Sequence, residues 1–341
     1  MNAIFSLFLV LALVVVATLG AGAAKMQTIF AYCVPGTAFL IFVVGFACKI
    51  IGWAKRPVPF RIPTTGGQQQ SLDWIKQNKW DNPSTGPQTV VRMLLEVLTF
   101  RSLFRNTKMA LTHDEGKNPI VSYVSAKWLW LFAILFHYSF LIIALRHMRL
   151  FLQPVPAIIT GIEFVDSILQ IYTPIVYQTD LLILAGAGFL LARRLMDAKL
   201  RYISLVNDYF PLLLILSIAL SGMYMRYIAK VDVMAIKDVV MGLVTFHFKP
   251  VPATIDTSFF VHVFLVSCLL AYFPFSKLMH MGGVFLSPTR NMPNDTRMHH
   301  HVNPWNDPGV KPHSYAAYED DFREPMFEAG LPLDKNPEEA A

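Results

Sequence analysis

The chain has 341 residues, 54% of them hydrophobic and 15% charged, with a formal net charge of +6. So little charge excludes an ordinary soluble globular protein of this size. The basic excess does not mark a nucleic-acid surface, because lysine and arginine lie between long apolar runs, where they report membrane topology; no nucleic-acid partner is expected.

Six runs are long enough to cross a bilayer, which takes about 20 residues: Ile4–Ala24, Thr28–Trp53, Lys127–His147, Thr173–Arg193, Asp208–Ala229 and Asp256–His280. The expected class is therefore an all-α membrane protein. It is a polytopic helix bundle of about six transmembrane helices. The first run ends in "AGAA" like a signal peptide but lacks a basic leading segment, so it is read as an uncleaved helix. The organisation expected is two N-terminal spans (1–53), a cytoplasmic loop with an amphipathic helix (54–124), a domain of four spans (125–286) and a cytoplasmic tail (287–341).

The first long loop opens with a Pro/Gly/Gln-rich linker, Pro57–Gln70. Pro87–Arg105 then shows apolar residues at helical spacing with Arg92, Arg101 and Arg105 among them, an amphipathic helix for the membrane surface or for a partner. This loop and the one holding Lys199 and Arg201 are the most basic, which places them in the cytoplasm; both termini then come out cytoplasmic. The tail is proline-rich, charged and acidic at its end, too polar to make its own core, and is read as disordered or laid along a cytoplasmic partner.

Four histidines fall on two runs: His137 and His147 on the third, His262 and His280 on the sixth. Ionisable residues inside spans are unfavourable and face the bundle interior. A neutral imidazole is a good axial ligand for haem iron. On straight helices His262 and His280 would lie about 27 Å apart on one face, and His137 and His147 about 15 Å apart. Antiparallel runs would pair His147 with His262 and His137 with His280. The two separations differ by about 12 Å, which tilt and a kink at Pro274 would have to absorb. The other reading of these histidines is a hydrogen bond to a neighbouring helix. His113, His299–His301 and His313 read as surface residues, and His247 as an outer-loop residue. Cys33, Cys48 and Cys268 lie within apolar runs without CxxC spacing and read as small buried hydrophobes.

The spacings His-x9-His and His-x17-His, together with "FPFSKLMH", resemble the gamma subunit of respiratory nitrate reductases over roughly Ser125–Leu286. That resemblance implies a membrane cytochrome with two haems b that exchanges electrons with menaquinone, with His137 and His280 holding the cytoplasmic-side haem and His147 and His262 the outer one. The additional N-terminal span, the long basic loop and the extended tail are similar to the DsrM-type membrane subunit of the sulfite-reduction-associated electron-transport complex. Such a subunit implies a cytoplasmic iron–sulfur partner of the heterodisulfide-reductase type, further membrane and periplasmic redox subunits, membrane lipid around it, and a place in a bacterial or archaeal cytoplasmic membrane. Arg193 and Arg194 are candidates for pairing with a haem propionate, or are topology signals. Arg149, Gln153, Tyr177 and Asp180 are candidates for a quinone site, against helix capping and aromatic anchoring as the plainer readings. A haem-free membrane anchor, a nitrate reductase gamma subunit proper, and a transporter with a histidine proton relay are the alternatives.

Overall fold

The computed structural model describes residues 1–58, 61–62, 67–105, 108–113, 116, 118–167, 175–298, 309, 311 and 313–335. The first span is α1 (Asn2–Ala17) continued by a π-helical stretch, Thr18–Ala23; the second is a π-helical stretch, Ile29–Cys33, continued by α2 (Val34–Ala54). The loop holds α3 (Gly86–Thr99), α4 (Arg101–Phe104) and an antiparallel hairpin, β1 (Lys108–Thr112) with β2 (Ile120–Val124), in the register Lys108 to Val124. Then follow α5 (Lys127–Phe151), α6 (Ala157–Asp166), α7 (Gln178–Met196), α8 (Ala198–Ile203), α9 (Val206–Met223) with π-helical Tyr224–Ala229, α10 (Val233–Val244), α11 (Thr257–Tyr272), α12 (His280–Gly283) and α13 (Tyr315–Glu328).

Among the described residues, five helical stretches are long and apolar enough to cross a membrane: Asn2–Ala23, Ile29–Ala54, Lys127–Phe151, Val206–Ala229 and Thr257–Phe275. The expected fourth span corresponds to α7, whose Asp180, Arg193 and Arg194 dilute its apolar content; residues 173 and 174 of the expected run lie outside the described residues. The outward faces of the spans are apolar, with Phe8 66% and Phe39 59% exposed. Such side chains suit lipid rather than water.

The short helices start where the sequence supplies a cap. Asp197, Asp232, Asp256 and Ser314 each accept a backbone N–H from the first turn of α8, α10, α11 and α13. Packing proceeds α5 on α7, α7 on α9, and α9 on α11, with α1 on α9 and α2 on α11 as an outer pair. Gly186 allows the closest approach of α7 to α5: a Cβ there would lie 2.9 Å from the Phe136 backbone nitrogen. Small residues serve this role where apolar burial gives helices no preference over lipid.

The sixth run is not one helix. It ends at Tyr272, tightens into a 3-10 turn over Phe273–Phe275, and breaks at Ser276, which is extended (φ −121°, ψ 174°). Pro274 has no N–H to continue the ladder. Ser276 then caps the next turn by accepting the Leu278 N–H at 3.2 Å. The tail differs from the expectation of a structureless segment. α13 forms, and its buried Glu319 accepts the backbone N–H groups of Asp334 and Lys335 at 2.8 and 3.0 Å.

Candidate functional site

The break after Tyr272 shortens the reach from His262 to His280, and the two histidines meet the two on α5. The ring centroids of His137 and His280 lie 6.0 Å apart with an interplanar angle of 81°; those of His147 and His262 lie 6.3 Å apart at 15°. The pairing requires α5 and α11 to run antiparallel. These helices are not one another's main packing partners; His147 and His280 are exposed, and His137 and His262 are partly buried.

Hydrogen bonds fix the tautomers. Nδ1 of His137, His147 and His280 lies 2.7, 2.7 and 2.8 Å from the carbonyls of Ala133, Ile143 and Lys277. A carbonyl only accepts, so each Nδ1 carries the proton. Nδ1 of His262 lies 2.9 Å from the Ser221 Oγ, whose own proton goes to the Ile218 carbonyl at 2.9 Å. Ser221 therefore accepts from His262 as well. All four Nε2 atoms keep a lone pair, the state a metal-bound imidazole needs. Two imidazole–metal bonds of about 2 Å, with ring radii of about 1 Å at each end, put the centroids about 6 Å apart. Both pairs fit a metal held between two axial histidines. Among the described residues no three His, Cys, Asp or Glu gather into a metal-holding group.

The His137–His280 pair is tied to its surroundings through the segment before His280. Lys277 bonds Asp208 at 2.6 Å, and Asp208 also faces Arg194 at 3.8 Å. Arg194 donates to Ser204 Oγ at 3.1 Å, so it joins the connection between α7 and α9. Arg193 lies beside it in the last turn of α7. Phe100 and Phe136 set their ring edges against His137 at 5.0 and 5.1 Å.

Near His147 lies a buried charge cluster. Arg146 bridges Asp166 at 3.0 Å and Asp180 at 2.9 Å. Asp166 accepts the Thr179 N–H and hydroxyl at 2.9 and 2.6 Å, and Asp180 accepts the Tyr227 hydroxyl at 2.7 Å. The Tyr177 ring is held between the guanidinium groups of Arg146 and Arg226, at 3.7 and 4.1 Å. Its hydroxyl donates to Glu163 at 2.5 Å, and Arg149 pairs with the same carboxylate.

The candidates Arg149, Tyr177 and Asp180 are thus brought together, joined by Glu163 and Tyr227. Gln153 is exposed and stands apart. Arg146, Asp166, Glu163, Arg226, Tyr227 and Ser221 escaped the sequence reading. Arg146 carried a legible signal, since a charge within a span requires a partner. His113 and His247 are exposed; His313 faces Asp321 at 3.8 Å; His299–His301 lie outside the described residues. The three cysteines are free thiols.

The family described as nitrate reductase gamma subunit matches residues 112–292, which include all four histidines and the cluster around Arg146. The chain belongs to the nitrate reductase gamma subunit family. This gamma-type chain is 48% identical over 290 residues to the Hdr-like menaquinol oxidoreductase cytochrome b-like subunit of Archaeoglobus fulgidus, covering 83% of this chain and 85% of that one. It is 42% identical over 281 residues to the protein of the same description from Archaeoglobus profundus, covering 80% and 82%.

Proposed function

We propose that the chain is the membrane cytochrome b subunit of a menaquinol oxidoreductase, oxidising quinol on one side of the membrane and passing electrons to a cytoplasmic iron–sulfur subunit. The observation that carries this is the pair of facing imidazoles, each with its Nδ1 proton engaged, at two depths of one bundle. In this reading His147 and His262 hold the outer haem b, and His137 and His280 the inner one. When bound, the two groups supply one-electron carriers matched to the two electrons of a quinol. The basic loops are assigned to the cytoplasm, with both termini on that side. The DsrM-type assignment, with a heterodisulfide-reductase-like partner and sulfite-linked respiration, belongs to the same proposal. The "Hdr-like" description of both relatives supports it.

The chain's own groups supply the proton side. Quinol oxidation releases two protons with its two electrons, and each needs an acceptor within hydrogen-bond reach. Glu163 and Asp180, each accepting from a tyrosine, are two of the carboxylates paired with the arginines at the outer pair's end of α5. The Tyr177 ring between two guanidinium groups gives that end a rigid wall. Arg193 and Arg194, in the last turn of α7, are the cations available to an inner propionate.

The test is to mix the purified chain with a menaquinol analogue and follow b-type absorbance, with dithionite as the full-reduction reference. Reduction by the quinol supports the reading. A chain that dithionite reduces and quinol does not is not a quinol-coupled cytochrome. One without b-type absorbance is a membrane anchor.

Ser221 gives a finer expectation. It is a positioning residue, the one side-chain acceptor among the four Nδ1 partners. An acceptor on Nδ1–H makes the imidazole a stronger donor and favours the oxidised metal. Ser221→Ala is expected to leave haem content unchanged and to raise one of two midpoint potentials, on the order of 60 mV for a tenfold change in a one-electron couple. Redox titration checks it; two unmoved potentials would remove Ser221 from the outer site.

A further inference from the structure

The helix α3 is amphipathic the wrong way round for a soluble loop. Its buried residues are Thr89 and Arg92, and its exposed stripe is Val90, Leu94 and Leu98, with Val91 beside it. The spacing of four keeps the three on one face. Arg92 donates to the Thr289 carbonyl at 2.9 Å, and Glu96 accepts the Ser102 hydroxyl at 2.6 Å and faces Arg290 at 3.4 Å. The polar side is thus engaged with the protein, and the apolar residues Val90, Leu94 and Leu98 are exposed among the described residues.

The C-terminal end of α3 fixes its level. The Leu98 carbonyl accepts the Tyr138 hydroxyl, and the Thr99 carbonyl accepts the Trp130 Nε1–H, both at 2.8 Å. Both donors belong to α5, which is a candidate span. Side chains of a helix lean toward its N-terminus, so these bonds set the last turn of α3 beside the first turns of α5 rather than beyond its end. The Phe100 ring on His137 gives the same level independently. At that level the terminal carbonyls of a helix have little water to bond, and aromatic donors of the span replace it. On α5 itself, Tyr138 and Leu141 are exposed apolar side chains, and Tyr138 is the one bonded to the end of α3.

We infer that α3 is an interfacial helix, its Val90–Leu94–Leu98 stripe seated in the headgroup–acyl boundary of the leaflet on the His137–His280 side. The occupant is lipid, because two bonds tie α3 to a candidate membrane span whose own exposed side chains are apolar. Lys108 and Lys127 stand at the starts of β1 and α5, as suits anionic headgroups, while Arg101 and Arg105 pair with Asp81. Phe100, held at φ 49°, turns the chain from α3 into α4 against His137. A bilayer-seated α3 therefore fixes one wall of the inner pair.

The test uses the full chain with Cys33, Cys48 and Cys268 replaced by alanine, in nanodiscs of phosphatidylcholine and phosphatidylglycerol. Nitroxide labels are placed one at a time through Leu94→Cys, Val90→Cys and, on the other edge, Gln88→Cys. Collision with oxygen, which partitions into lipid, is compared with collision with a water-soluble nickel chelate. The ratio is expected to be several-fold higher at 90 and 94 than at 88. A ratio at both stripe positions no higher than at 88 would overturn the inference and give the stripe to a protein partner. Val90→Cys decides the matter if Leu94→Cys does not fold. Neither outcome depends on haem or quinol.

Discussion

His262→Ala and His280→Ala are each expected to lose about one of two b-type haems per chain, and the double variant to lose both. The two pairs share α5 but no ligand. Each histidine has its own Nδ1 partner, so removing one imidazole leaves the other pair's tautomers and spacing in place. Within α5 the pairs are separated by about 15 Å of helix rise, far enough that the losses should add. Second-sphere changes around a metal site cost about 10- to 100-fold in affinity. Removing a ligand outright goes further, and stoichiometry rather than affinity is the readout. Extracted haem is counted against protein, and the dithionite-reduced minus oxidised spectrum identifies the remaining group. Unchanged haem in both single variants would sink the ligand assignment. Absence of haem from the wild type would make the histidines bundle hydrogen-bonding groups in a membrane anchor.

Much of the bundle was legible because membrane spans are long apolar runs and little else produces them. The pairing of the histidines was legible from their order on antiparallel runs. The separation was not, because the rise arithmetic treats Asp256–His280 as one rod. The rod ends at Tyr272, and the "FPFS" stretch encodes the break: proline removes the donor and serine caps the next turn. Pro274 was named as a kink. That serine would restart the chain in a new direction needed the backbone at Ser276.

The partners of Arg146 were hidden for a different reason. They come from α6 and α7, and no local spacing links a charge on one span to carboxylates beyond the next connection. The β1–β2 hairpin was missed because neither strand alternates cleanly between apolar and polar, and most of its side chains are exposed on both faces. For α3 the apolar periodicity was plain, but which face the protein would bury was not. Only the bonds of Arg92 and Glu96 show that the polar side turns inward.

Arg146→Met is expected to destabilise the chain by about 3–5 kcal/mol, the range for removing one partner of a buried ion pair. Arg146 is 8% exposed and holds Asp166 and Asp180, themselves buried, on two of its nitrogens. Methionine fills much of the volume, so the loss comes from two carboxylates left together without a cation. Arg149→Met is the contrast. Its pair with Glu163 is partly exposed, at 32% and 24%, and a pair of that kind contributes about 1 kcal/mol or less. Arg146→Lys should recover only part of the loss, because an ammonium cannot span two carboxylates as the planar guanidinium does. Adding Asp180→Asn to Arg146→Met should recover part of it too, since a buried amide bonded to Tyr227 is less unfavourable than a lone carboxylate. Unfolding of each variant in one detergent, followed by near-ultraviolet circular dichroism, gives the order. If Arg146→Met falls no further than Arg149→Met, the bridge does not hold α5, α6 and α7 together. If Arg146→Met is the outlier and Asp180→Asn partly restores it, the ion cluster is the clamp that sets the outer turn of α5, and with it His147, against α7.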